Sequence, residues 1–511
     1  MITGDWQKLR RLCSCLSLYM LADANPSVLF ILKVRLLQIQ TFQLPCLTNL
    51  QTSRFSKRAL VANQRPMNRK KLPALSESTN LRYANFIALY FAEGLHMGML
   101  FVGIPAWLAM QGKSPTEIGG FAVACSLPWT FKFIAAPLMD RYTYLAMGRK
   151  RPWVIFGQIG LTASFVAMGF VPDPLHNLDL LMAAAFIVSC FGALQDAATD
   201  GMAVDVLADH QQARANGFMG GARMIGSSLA LAVGSWLLSL YGFTVSILVI
   251  SAMIGLMTLV PICLREQPDE KVLPWGDGTA SIKNQTLQVT SWSTILKSLY
   301  SLFRLKDSLL VAALMFVSMG SYNYFETLLP IFAVKITGWT NTLYSQAFAT
   351  ADLIGGIAGL LIGGYVIERF GKKRMIGIYF FLIMFITSSL ILSKSYWENS
   401  TFLYGFIIVY RWLNAFAKIG VYAIAMQCCS KKVSASQFTF YMTLGSLGSM
   451  VGATLIGPMK ENFSWDITFF LFVIMLALAW LIMYFLNISR LSDQITKSEQ
   501  TQADSHVLVN I

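Results

Sequence analysis

Apolar residues run through this chain in long blocks, separated by short polar connections rich in Lys and Arg. Twelve blocks are long enough to cross about 30 Å of hydrocarbon as helices. They lie at 84–110, 117–138, 153–172, 178–204, 214–238, 242–264, 309–334, 345–367, 375–393, 401–427, 437–458 and 466–487. None alternates over about ten residues as a barrel strand would. The pattern predicts an all-α integral membrane protein with twelve transmembrane helices. The longest polar connection divides six spans from six. It sets out an N-terminal six-helix bundle at 80–264, a linker at 265–307, a C-terminal six-helix bundle at 308–487 and a tail at 488–511. The linker contains "PWGDGTAS" and is expected to be flexible, with one surface helix near Trp292.

The first 75 residues depart from this pattern. The run "CLSLYMLADANPSVLFILKVRLL" is interrupted by Asp23, Pro26, Lys33 and Arg35, and no small-residue cleavage site follows it. Residues 1–75 read as a poorly structured leader, with Met67 opening a basic "MNRKKLP" that suits a cytoplasmic start; a transit peptide or an interfacial helix is the alternative.

Composition agrees with the membrane reading. Hydrophobic residues make up 55% of the chain and charged residues 13%, against about 25% charged in soluble proteins. The net charge is +14, but the basic residues lie in short clusters between apolar runs, the footprint of cytoplasmic loops. No helix-turn-helix, zinc-finger or RNP pattern is present, so nucleic acid is not an expected partner. The six outer connections carry only Lys113, Lys335, Lys394 and Lys460, while the inner ones hold clusters such as Arg149-Lys150-Arg151, which places both termini in the cytoplasm. The eight cysteines lack metal-ligand spacing. Without HExxH, GxSxG or Walker A patterns, the chain is expected to be no enzyme and to hold no metal or cofactor.

The two halves repeat one another. "DRYTYLAMGRKR" (Asp140–Arg151) follows span two and "ERFGKKR" (Glu368–Arg374) follows span eight, while Gly94…Pro105 in span one echoes Gly320…Pro330 in span seven. Small residues recur at four-residue spacing as Gly217/Gly221, Gly355/Gly359/Gly363 and Gly448/Gly452. Such spacing lets helices approach closely in lipid, in static packing or in a sliding interface.

The loop carrying Asp140, Arg141, Arg149, Lys150 and Arg151, with its weaker copy at Glu368, Arg369, Lys372 and Lys373, resembles the signature loop of the major facilitator superfamily. Within it, Glu117–Gln158, "QDAATDGMAVDVL" and "SASQF" (Ser434–Phe438) are similar to AmpG-type muropeptide permeases of the peptide–acetyl-coenzyme A transporter family. The resemblance implies the major facilitator fold and a cytoplasmic gate built from the repeated loop. It also implies secondary transport by alternating access, here the proton-coupled import of anhydromuropeptides for cell wall recycling across a bacterial inner membrane. A siderophore permease or acetyl-coenzyme A carrier of the same family is the alternative, and a non-transporting membrane sensor is the alternative of another class. The expected partners are a small-molecule substrate, protons and the lipid bilayer, and the expected state is a monomer.

Charges inside the spans are the candidate working groups, because each costs roughly 3 kcal/mol at the centre of a lipid-facing helix. Asp196 and Asp200 are four residues apart and share a helix face. Lys132 in span two is their expected partner, as a fixed ion pair or as part of a proton relay, while Asp205 is expected to meet an arginine such as Arg214. Glu93 and His96 in span one and Glu326 in span seven fall on helices that line the central cavity in the family resembled. Tyr322, Asn323 and Tyr324 beside Glu326 suit a bulky polar substrate. Asp352, Arg411 and Lys418 complete the expected cavity set. Arg411 and Lys418 are seven residues apart on one face, either as two anion-attracting cations or with Asp352 stapling Arg411.

Overall fold

A membrane interior offers backbone N–H and C=O groups no partner but one another, so apolar runs of this length close their hydrogen bonds locally as helices. The computed structural model describes residues 74–289, 291–339 and 341–497. Most of the leader, and the end of the tail, lie outside the described residues. Eleven helices among the described residues are long and apolar enough to span a bilayer. The count falls below twelve because spans five and six run on as one helix, Gln212–Cys263, broken at Gly242 with φ 80°. No polar loop separates the two arms; a glycine reaches the left-handed region without steric cost and turns the chain there.

Counting those arms separately as α5 (212–241) and α6 (243–263), the first half contains α1 (Thr79–Met110), α2 (Pro115–Arg141), α3 (Arg151–Gly169) and α4 (Leu178–Val206). The second half contains α7 (Lys306–Thr337), α8 (Asn341–Ala358, running on to Phe370), α9 (Lys372–Leu392), α10 (Ser400–Gln427), α11 (Ser434–Thr454) and α12 (Trp465–Phe485). Ser114 starts α2 with a capping box, its hydroxyl accepting from Glu117 N–H while the Glu117 carboxylate accepts from Ser114 N–H. In α1 the π-helical turn Met99–Gly103 precedes Pro105, which relieves the clash a proline imposes on the preceding turn.

The internal repeat is visible in the packing. In the first half α1 lies against α5, with Gly226 on the Phe91 carbonyl; in the second, α7 lies against α11, with Gly448 on the Phe316 carbonyl. Gly217 and Gly221 belong to a different surface, since they face Gly359 and Gly356 across the two halves. A Cβ at Gly221 would stand 2.5 Å from the Gly356 carbonyl oxygen. Gly221→Ala is therefore expected to disfavour this arrangement of the halves by about 1–3 kcal/mol, while Gly448→Ala lowers the thermal stability of the second half. Melting curves beside cysteine accessibility at the half–half boundary separate the two effects.

The linker is docked rather than loose over its first part. Arg265 pairs with Ala74 in an isolated bridge, Leu75 N–H donating to Arg265 O at 2.7 Å, so the chain is ordered from within the expected leader. The Glu266 carboxylate accepts the backbone N–H groups of Arg149, Lys150 and Arg151 at 2.6–2.8 Å, where α3 begins. A carboxylate is favoured at that positive helix end. The buried Arg151 guanidinium reaches linker carbonyls of Lys271 and Val272 at 2.9 and 2.7 Å. Two short helices follow, Ile282–Leu287 and Trp292–Phe303.

Burial, with the nearby Glu266 carboxylate adding to it, pushes Glu270 up to about 7. Its free value is near 4.5, so the docked linker holds more protons than the undocked one between about 4.5 and 7. Docking is thus strongest at acid pH and weakens as pH rises through that window. Hydrogen exchange over 266–288, corrected for intrinsic rates, is expected to be faster at pH 8 than at pH 5.5, and Glu270→Gln to flatten the difference.

Candidate functional site

Two layers of charge lie between the halves. The first is a latch at the face bearing the loops after α2, α4, α8 and α10. Asp140 ends α2 and is fully buried. Its carboxylate accepts from Ser436 N–H and Oγ–H at 2.8 and 2.6 Å, at the start of α11 in the other half. Lys150 pairs with the same carboxylate, and Arg149 stands 3.5 Å from it. The Arg149 guanidinium also donates to the carbonyls of Lys431 and Lys432 across the boundary. On the other side of the latch Arg214 pairs with Glu368 at 2.7 Å. Lys372 donates to Asp209 O and Gln212 Oε1 at 2.8 and 3.0 Å.

These contacts sort the repeated loop by role. Asp140, Arg149, Glu368 and Lys372 join the halves, and Lys150 supports Asp140. Arg151 holds the linker instead, and Arg141 stacks on Trp292, 4.8 Å from the ring centre. Lys373 ties down the end of α12 through Tyr484 O, and Arg369 is exposed. The expected Asp205–Arg214 pair is not formed. Asp205 takes Arg149 at 3.0 Å, because the end of α4 meets the α2–α3 loop while Arg214, at the start of α5, faces the second half.

Above the latch lies a cavity of about 310 Å³ lined from both halves, by Tyr90, Asp200 and Arg223 on one side and Tyr322, Asp352, Arg411, Lys418 and Tyr422 on the other. In the first half, Lys132 Nζ lies 2.7 Å from Asp196 Oδ2, both side chains being almost wholly buried. Arg223 lies 2.9 Å from Glu93, and the Tyr90 hydroxyl donates to Asp200. In the second half, Arg411 pairs with both Glu326 and Asp352, its Nε 2.7 Å from Asp352 Oδ1. Lys418 stands differently: its ammonium lies 3.0 Å above the centre of the Tyr322 ring, a cation–π seat.

Three expected cavity residues lie elsewhere. His96 is buried inside the first half, stacked on Trp129 with ring centres 6.1 Å apart. Asn323 donates to Ser449 O at 2.9 Å, and Tyr324 to Thr468 O at 2.9 Å. At about 100° per residue, Asn323 and Tyr324 turn away from the face on which Tyr322 meets the cavity. Arg223, Tyr90 and Tyr422 were not among the expected residues. Arg223 is the lone cation in the middle of an apolar span, a signal that by itself marks a bundle interior.

The sequence model of the Major Facilitator Superfamily matches residues 86–453, with a further match at 346–508. The anhydromuropeptide permease of Escherichia coli (strain K12) is 24% identical over 408 residues, covering 79% of each chain. Among solved structures, FucP in its outward conformation superposes with a TM-score of 0.57 at 13% identity, over 81% of this chain and 99% of that one. The human organic anion transporter MFSD10 superposes with a TM-score of 0.59 at 12% identity, over 80% and 100%. These likenesses show the fold.

Proposed function

The chain belongs to the Major Facilitator Superfamily and is a multi-pass membrane transporter, and from that premise we propose a proton-coupled importer of anhydromuropeptides working by alternating access. The main support for coupling is the charge balance of the cavity network. Five carboxylates (Glu93, Asp196, Asp200, Glu326 and Asp352) meet four cations (Lys132, Arg223, Arg411 and Lys418). The surplus acid is Asp200, which lines the cavity and rests on the Tyr90 phenol instead of a cation. An unbalanced charge in a poorly solvated site is costly. A proton on Asp200 neutralises the network, and its release restores the charge, so the two forms differ in how well they tolerate closure around a dry cavity.

Similarity and Lys418 support the substrate reading. The E. coli relative is an anhydromuropeptide permease, and a muropeptide is a sugar–peptide bearing carboxylates. Lys418 offers an ammonium seated on a ring rather than on an acid, ready for a substrate carboxylate. Tyr90, Tyr322 and Tyr422 supply flat faces for a sugar. The basic loops support a cytoplasmic side for the latch, in this reading at a bacterial inner membrane.

Uptake of labelled anhydromuropeptide into right-side-out and inverted vesicles tests the proposal. Uptake abolished by a proton uncoupler is expected. Uptake indifferent to the uncoupler rejects coupling, and siderophore flux without muropeptide flux reassigns the substrate.

A further inference from the structure

Lys373 and Arg374 stand where two surface depressions meet. One is an apolar groove of about 370 Å³ between α9 and α12, floored by Gly377 and walled by Phe381, Trp480 and Tyr484. It opens toward the bilayer, as Phe381 and Tyr484 are 60% and 62% exposed. The other, of about 760 Å³, lies on the latch face, where Arg369 and Lys372 add further positive charge beside Glu368. An apolar groove in a lipid-facing wall is filled by an acyl chain, and this one ends under a cluster of cations.

The local chemistry favours an anion at that junction. Lys373 spends two of its three N–H donors on Tyr484 O and Leu486 O, each at 2.7 Å, which fixes the ammonium at the mouth of the groove with one donor left. Arg374 is exposed and, among the described residues, makes no hydrogen bond or ion pair. Both sit in the first turn of α9, Lys372–Leu392, where the positive end of the helix adds to the attraction.

We propose that this junction binds an anionic phospholipid of the latch-side leaflet, with its phosphate on Lys373 and Arg374 and an acyl chain along Gly377 and Phe381. The purified full chain in detergent, titrated with phosphatidylglycerol, phosphatidylcholine or glycerol 3-phosphate and read by native mass spectrometry, tests the site. Phosphatidylglycerol is expected to bind about tenfold more tightly than phosphatidylcholine. Arg374→Gln is expected to weaken phosphatidylglycerol about fivefold. Gly377→Leu, whose Cβ would stand 3.4 and 3.5 Å from Met483 Cε and Trp480 Nε1 with the rest of the side chain filling the groove, is expected to weaken it as well. Equal binding of the two lipids overturns the proposal. So does affinity unchanged in both variants, or displacement by glycerol 3-phosphate at concentrations matching the lipid.

Discussion

Asp200→Asn is expected to abolish accumulation against a gradient while leaving equilibrating exchange of substrate intact. An amide still accepts the Tyr90 O–H bond but takes no proton, so the variant resembles a permanently neutral site. A pH difference of one unit supplies about 1.4 kcal/mol per proton, hence about tenfold accumulation; the variant's ratio falls to one. Counterflow, which needs no net proton movement, continues. Asp196→Asn acts differently. It strips Lys132 of its direct partner, and breaking a buried pair by removing one member costs about 3–5 kcal/mol. Asp196→Asn is therefore a stability variant, and replacing Lys132 and Asp196 together by apolar residues recovers most of the loss. Thermal melting and proteoliposome accumulation, measured on all three proteins, distinguish the coupling carboxylate from the structural one.

Asp140→Asn is expected to release the latch. The carboxylate holds Ser436 N–H and Oγ–H in the other half and sits against the positive end of α11. Charge-assisted bonds of this kind contribute roughly 1.5–3 kcal/mol each. Losing their charge also leaves Lys150 and Arg149 buried beside a neutral group. A loss of about 3 kcal/mol moves the latched population by roughly two orders of magnitude, since each 1.4 kcal/mol is tenfold. Paired labels across the latch, near residues 143 and 432, would report the opening as a longer distance. An unchanged distance distribution would mean that Asp140 does not bias the two states.

The charges that define the site stood out in the sequence because lipid makes them expensive. Asp196, Asp200, Lys132 and Arg411 interrupt runs that are otherwise apolar, and helical periodicity puts the first two on one face. Which cation meets which acid was less legible. Asp205 pairs with Arg149 and Arg214 with Glu368, because loop paths, which no periodicity sets, decide those contacts. Tyr90 and Tyr422 gave no signal, since phenols are common in apolar helices and only their neighbours make them cavity groups. The turn between spans five and six rests on a single residue, Gly242, where hydropathy barely dips. The linker read as flexible from its polar composition. Glu266 docks it by accepting three consecutive N–H groups at the start of α3, an arrangement visible only in three dimensions.

The coupling account turns on whether substrate and proton cross together through the Asp200 cavity. Proteoliposomes holding an entrapped pH dye, given anhydromuropeptide outside with no imposed gradient, measure this directly. The lumen is expected to acidify as substrate enters, and vesicles of the Asp200→Asn protein, preloaded with unlabelled substrate, to admit labelled substrate by exchange with no acidification. Substrate entry into wild-type vesicles at constant internal pH would contradict the account.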